Sequence, residues 1–415
     1  MFQNQFIRKM NDAWNAKAFS RFIIPIIILS SAKFIAGLFL YHLLGMSQSD
    51  TYWMTVNWSS EGQNDLLVLK ANQVIRWPYL FIGWDSAWYL SLLVKGYVFS
   101  SQSYAFFPGL SLFSWLLNLI INNPSISLTI FSFVIGIAWL PGYQLVAESY
   151  MDKSDAMKST LIYGFFPYVF LFSTVAYAEG LFLLSTLAAW YFFKKNKFLY
   201  TGISASIATI TRSPGIFIMI PIFIEALGTY KHERKSLKLK NLCSLALPVL
   251  SFTSWLYYCK LTLDNWLAPF TRSLWDQGYS LLTLLFRILS QNGIQSLLTN
   301  ANASGILPYD FPRIALVVVS LIIFIILSPI LIRILSRYEK SLAIYSATYF
   351  LGILAFGTLL SIPRFISFLP LMWMFFMPKM SQPRKSKTVT ITICAFFYFL
   401  AIILWYGFLT GEFIS

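Results

Sequence analysis

Three cysteines, two histidines and 16 acidic residues are all that this 415-residue chain offers for redox, metal or paired-acid chemistry. Cys243, Cys259 and Cys394 are scattered in or beside apolar runs, which excludes a disulfide framework and a cysteine-rich zinc site. Neither His42 nor His232 has a metal-ligand partner at usable spacing. No P-loop, dinucleotide fingerprint or Asp-x-Asp pair occurs, which argues against a nucleotide or nucleotide-sugar donor. There is no low-complexity tract, no internal repeat of the inverted kind seen in transporters, and no stretch polar enough to form a separate soluble domain. Only 11% of the residues are charged, whereas 57% are hydrophobic and 18% aromatic. With a mean hydropathy of +0.65, the solvent for most of the chain is lipid. The class that remains is an all-α polytopic integral membrane protein.

Apolar runs long enough to span fall at 21–45, 125–149, 159–175, 178–193, 198–212, 214–229, 241–262, 311–335, 342–361, 364–378 and 388–410. They predict about eleven transmembrane helices in a single membrane-embedded domain, 1–415. The basic segment before the first run, with Arg8, Lys9 and Lys17, carries no small-residue cleavage signature, so that run is expected to be a retained span. The stretch "AFFPGLSLFSWLLNLII" at 105–121 is either a further span or a helix at the interface. Charge decides. If it does not cross and the N-terminus is cytoplasmic, the clusters at Lys194, Lys195 and Lys197, at 231–240, at 333–340 and at 379–387 all face inside with most of the 31 basic residues. The net charge of +15 is then a topology signal and a contact for anionic membrane lipids, and nucleic acid is not an expected partner. Two regions remain outside, a first outer loop at 46–124 and a second at 263–310, and each carries a glycosylation sequon, at Asn57 and Asn302.

Against this background the ionisable residues at membrane depth are informative, because a charge near the bilayer centre costs about 3 kcal/mol even on lenient scales. Four gather on the outer side. Asp85 lies in "FIGWDSAWYLSLLVKGY", where 84–95 reads as an interfacial helix with Trp84, Trp88 and Tyr89 as headgroup-level anchors. It reads either as a general base at the lipid–water boundary, as a helix cap, or as a partner of Lys95. Glu179 in "VAYAEGLFLL" reads either as a dipole partner for the following helix or as a second site carboxylate. Arg212 in "TRSPG" and Arg364 in "SIPRFISFLP" stand at Pro breaks, suited to snorkelling or to phosphate. Lys33, inside the first span, has three readings of equal weight: it snorkels, neutralises Glu179 or touches a lipid phosphate.

In order, "WDSAWYLSLLVKGY", "YAFFPGLSLF", "FFPYVFLFSTVAYAEGLFLL", "TRSPGIF" and "RFISFLPLMW" resemble the GPI mannosyltransferase II (PIG-V) family over about residues 80–230 and again near 364. One departure is Pro214, where the family form is closer to Arg-Ser-Asn-Gly. The resemblance implies a GT-C-type glycosyltransferase fold with interfacial helices in the first outer loop. It implies transfer of mannose from polyprenyl (dolichyl) phosphate mannose to a lipid-linked glycan such as a GPI precursor, with inversion. Carried over, Asp85 takes the acceptor's hydroxyl proton, Glu179 orients that hydroxyl or tunes Asp85, and Arg212 and Arg364, with or without Lys33, balance the departing phosphate. Trp84 and Tyr177 stack on sugar rings or anchor helices. No metal cofactor is expected. An accessory membrane subunit is compatible with the family pattern, as is an endoplasmic reticulum membrane in a eukaryote or a plasma membrane in a prokaryote, with the site extracytoplasmic. The competing expectations are a glycosyltransferase for another lipid-phosphate sugar and a lipid-linked sugar flippase.

Overall fold

The computed structural model describes residues 16–44, 80–99, 101–233, 239–271, 340–356, 361–374 and 386–410, with single positions at 322, 329 and 333. The sequons at Asn57 and Asn302, most of the 311–335 run, 46–79 and 272–310 of the two outer loops and the 234–238 cluster lie outside the described residues.

Every regular element among the described residues is helical. In chain order they are α1 (Ala16–Leu43), α2 (Asp85–Lys95), α3 (Gly109–Ile121), α4 (Pro124–Ala147), α5 (Lys153–Phe165), α6 (Pro167–Phe172), α7 (Glu179–Lys194) and α8 (Phe198–Thr211). There follow α9 (Met219–Glu233), α10 (Leu239–Leu263), α11 (Ala268–Thr271), α12 (Lys340–Phe356), α13 (Ile362–Ser367), α14 (Pro370–Trp373) and α15 (Ser386–Thr410), with short 3-10 turns at Gly96–Phe99, Ser101–Ala105 and Ser213–Ile218.

Among the described residues three helices are long and apolar enough to cross a membrane: Arg21–Leu43, Pro124–Ala147 and Lys387–Leu409. At 1.5 Å per residue each covers about 35 Å, more than the ~30 Å hydrocarbon core. Their outer faces show large apolar side chains, among them Ile27, Ile35, Phe39, Ile391 and Phe399, as lipid contact requires. The protein is thus a helical, membrane-associated one.

Local chemistry sets the breaks. Asn123 caps α4 by accepting from the Ile126 amide, with Pro124 at the first helical position, and Asp152 caps α5 through the Asp155 amide. The run at 159–175 is not one helix, because Pro167 has no amide to continue α5 and starts α6 instead. Pro370 divides the 364–378 run in the same way, separating α13 from α14. Helix α3, at 13 residues, spans about 20 Å and falls short of a bilayer core.

Helix α4 lies at the centre, packed on α1, α3, α5 and α7, while α7 continues the packing to α8 and α8 to α10. Glycine allows the closest approach. A Cβ at Gly136 of α4 would collide with the Ser173 carbonyl, and Gly180 of α7 meets the Gly136 backbone directly. The core holds Trp139, Tyr143 and Tyr163, the two tyrosines stacked at 4.8 Å. Trp88 and Tyr89 are also interior, not the headgroup anchors expected of them. Trp88 stacks on Phe106 at 5.3 Å and Tyr89 meets the same ring edge-on. The 3-10 turns after α2 fold Phe106 back over that helix, with the Tyr97 hydroxyl donating to the Phe106 carbonyl.

Candidate functional site

Asp85 is the first residue of α2 and Glu179 the first of α7, so both carboxylates stand at the positive ends of helix dipoles. Arg212 is the residue that ends α8, and Arg364 lies in the last turn of α13, where a cation suits the exposed carbonyls. Packing brings these four ends together. Arg364 Nη1 donates to Asp85 Oδ2 at 3.1 Å, Arg364 Nε stands 3.5 Å from Glu179 Oε1, and Arg212 Nη1 donates to the same Glu179 oxygen. The chain of pairs therefore runs Asp85, Arg364, Glu179, Arg212. Glu179 forms its floor with a side chain 2% exposed, whereas Asp85, Arg212 and Arg364 reach its mouth at 12–15%.

The motifs around these residues explain the convergence. Gly109, in "AFFPG", sits so close to α8 that a Cβ there would press on Thr211 and the Ile210 carbonyl. Gly215, in "TRSPG", leaves no room for a Cβ against the Ala208 carbonyl. Gly109 lets the two stretches touch, and Gly215 lets the turn after Arg212 fold back tightly on the end of α8. The "AYAEG" strip joins them: the Ala176 amide donates to the Phe81 carbonyl at 2.7 Å, which draws the turn before Glu179 onto the segment leading to Asp85.

Trp84 and Tyr177 take different parts from sugar stacking. The Tyr177 ring is buried between Phe172 at 5.0 Å and Phe408 at 6.0 Å, with the Arg364 guanidinium 5.6 Å above it. Its hydroxyl accepts from the Asp85 amide at 3.1 Å, satisfying one of the amides that a helix start leaves without an intrahelical partner. Trp84 donates its indole N–H to the Phe408 carbonyl at 3.2 Å. Its backbone has φ 52° and ψ −120°, and the Ser86 amide closes onto the Gly83 carbonyl at 3.0 Å. That is a type II′ turn with tryptophan where glycine is usual, a strained corner directly before the candidate base.

Lys33 is not brought to this cluster. Its ammonium donates to the Gly136 carbonyl at 3.0 Å, the Ser173 carbonyl at 3.1 Å and the Ser173 hydroxyl at 3.0 Å. Those bonds use all three of its protons, so it ties α1 to α4 and to the end of α6 and leaves no donor for a phosphate. Lys95 is not the partner of Asp85; Arg364 is.

Burial pushes the Asp85 carboxyl above the usual carboxylate range, the adjoining Arg364 guanidinium pulls it back, and Glu179 pushes it up again. The Tyr89 phenol is raised by burial and then by Glu179, which marks it as a neighbour of the cluster. Sequence reasoning missed Tyr89 in this role, together with Phe365, whose ring lies 4.9 Å from Arg212 and 5.6 Å from Arg364 and so separates the two cations. Its position beside Arg364 in "PRFISF" was the available signal. Among the described residues no group of three His, Cys, Asp or Glu side chains is placed to hold a metal ion.

Two guanidinia and two carboxylates, fixed at helix ends on an apolar bundle, can bind an anion, take up a proton and exchange partners among themselves. Comparison of the chain with protein-family models, with curated proteins and with solved structures returns no match.

Proposed function

We propose that the protein is a GT-C-type integral membrane mannosyltransferase of about eleven spans. It moves mannose from polyprenyl (dolichyl) phosphate mannose to a lipid-linked glycan, such as a GPI precursor, at the extracytoplasmic face. The observation that carries this reading is the four-charge cluster itself: Asp85, Glu179, Arg212 and Arg364, far apart in the chain, meet at one place in an apolar bundle. A donor delivered by the membrane explains both the arginines and the absence of any nucleotide motif from the sequence.

In the proposed reaction the acceptor hydroxyl oxygen attacks the anomeric carbon of the donor mannose. The carbon–oxygen bond to phosphate breaks, polyprenyl phosphate leaves with that bond's electrons, and Asp85 receives the hydroxyl proton. One displacement inverts the anomeric configuration. Arg212 and Arg364 offset the charge that grows on the leaving phosphate. Glu179, bonded to one arginine and within ion-pair distance of the other, keeps both guanidinia aimed at the same volume. Tyr177 and Trp84 hold the Asp85 turn in place.

The test is incubation of purified protein with polyprenyl phosphate mannose and a membrane lipid extract, following mannose into glycolipid. Asp85→Asn is expected to lower turnover by about 10²–10⁴ while polyprenyl phosphate still binds. Turnover that survives this substitution would remove Asp85 as the base, whereas movement of a lipid-linked sugar across vesicles with no transfer to glycolipid would replace this reading with that of a flippase.

A further inference from the structure

The same contacts that assemble the cluster also occupy it. Arg364 gives Nη1 to Asp85, and its Nε, 3.5 Å from Glu179, makes an ion pair there but no hydrogen bond. Arg212 gives Nη1 to Glu179. The four formal charges cancel, so a phosphate entering the cluster meets no net positive field; it meets guanidinia already engaged by carboxylates. Arg364 lies against the rings of Phe172, Tyr177 and Phe365 at 5.2, 5.6 and 5.6 Å, and Arg212 shares the Phe365 ring at 4.9 Å, so apolar faces surround both guanidinia beside their carboxylate partners.

We propose that Asp85 and Glu179 compete with the donor's phosphate for Arg364 and Arg212, and that the phosphate enters by displacing Asp85 from Arg364, which releases the carboxylate to act as base. This rests on the function proposed above and adds an order to it. Arg364 holds down the basicity of Asp85 while the two are paired, and the carboxylate becomes the stronger base once a lipid phosphate has taken its place on Arg364. An acceptor arriving first therefore meets a weaker proton acceptor, and carrier-linked mannose is less exposed to attack by water until the phosphate is seated. No bond is made or broken in this step; one anion replaces another on a guanidinium.

The consequence runs against the usual expectation for a catalytic residue. Neutralising Asp85 removes a competitor, so Asp85→Asn is expected to bind polyprenyl phosphate about tenfold more tightly than the parent, because a hydrogen bond to a charged oxygen exceeds one to a neutral amide by about that factor. Glu179→Gln, which frees Arg212, is expected to shift affinity in the same direction. The gain from Asp85→Asn should vanish in the Arg364→Gln background.

Binding of a short-chain polyprenyl phosphate to detergent-purified protein reads this directly, with the corresponding uncharged polyprenol and inorganic phosphate as separate probes and thermal unfolding as the check on folding. Tighter binding confined to the lipid phosphate supports the proposal; the same gain with inorganic phosphate assigns the exchange to phosphate alone, without the carrier. If the parent binds polyprenyl phosphate and both carboxylate variants bind it equally or more weakly, the competition is refuted while the glycosyltransferase reading stands. If the parent and both variants fail to bind it, the glycosyltransferase reading itself falls. Glu179→Gln keeps the test decisive should Asp85→Asn fail to fold.

Discussion

At Asp85 three influences meet: burial and Glu179 favour the protonated acid, and Arg364 favours the carboxylate, with burial the largest. The net shift is upward, so the base form is lost at a higher pH than an ordinary carboxylate near 4 would show. The acid limb of a kcat/KM profile should therefore lie clearly above that value; a limb at or below it would exclude Asp85 as the base. The sign for stability is the reverse of the common one for a paired acid. A carboxyl whose folded pKa exceeds its unfolded pKa contributes stability at low pH that disappears as pH rises through the folded value. Trp84 offers a second check at this scale. Ala normally outstrips Gly, but φ 52° penalises any side chain with a Cβ. Trp84→Gly should thus be more stable than Trp84→Ala, by about 1–3 kcal/mol, in thermal or denaturant unfolding. The reverse ranking would show that the turn is unstrained. The four charges of the site were legible in the sequence because charge is scarce there and all four stand beside helix breaks. Who pairs with whom was not, since Asp85 and Arg364 are 279 residues apart and nothing local couples them.

Lys33 and the glycines belong to the scale of helices. A single ammonium joins α1 to α4 and to the end of α6, so Lys33→Met should destabilise the fold by about 1–3 kcal/mol. Affinity for polyprenyl phosphate should stay unchanged, and a selective loss of that affinity with normal melting would return Lys33 to the binding site. Gly136 has no such tolerance. Its neighbour is the Ser173 backbone carbonyl, which no rotamer change can move, so Gly136→Ala should force α4 away from the end of α6 and lower the unfolding temperature sharply. An unaltered melting curve would mean that these helices separate at little expense. Hydropathy located the long helices α1, α4 and α15 to within a few residues. It joined α5 to α6 and α13 to α14, because an apolar average does not register the missing amide of a proline. It also could not tell an aromatic residue facing lipid from one facing protein, which is why Trp88 and Tyr89 were read outward and lie inward.

Across the molecule, charge pairs stand at both ends of the bundle. The site closes one end of α7, and Lys194 closes the other, paired with Glu225 of α9, which in turn accepts from Ser341 of α12. Arg21 with Glu148 clasps α1 to the end of α4. Gly136 meets Gly180 next to the start of α7, so twelve residues of α4, about 18 Å of helix, precede that contact. A charge cluster among apolar helices is costly unless its members are paired, as these are. Sidedness follows from the same axis. An impermeant maleimide should label Asn122→Cys only from outside intact vesicles and Lys195→Cys only after they are opened; the opposite pattern would invert the whole arrangement.

The indole of Trp84 is tethered to Phe408, 324 residues further along the chain. During synthesis the ribosome delivers Asp85 long before α15 exists, so the Trp84 tether forms only once that helix has been inserted beside α1. On the function proposed above, a nascent chain halted before residue 386 would sit in the membrane with its four charges in place but the turn before Asp85 untethered.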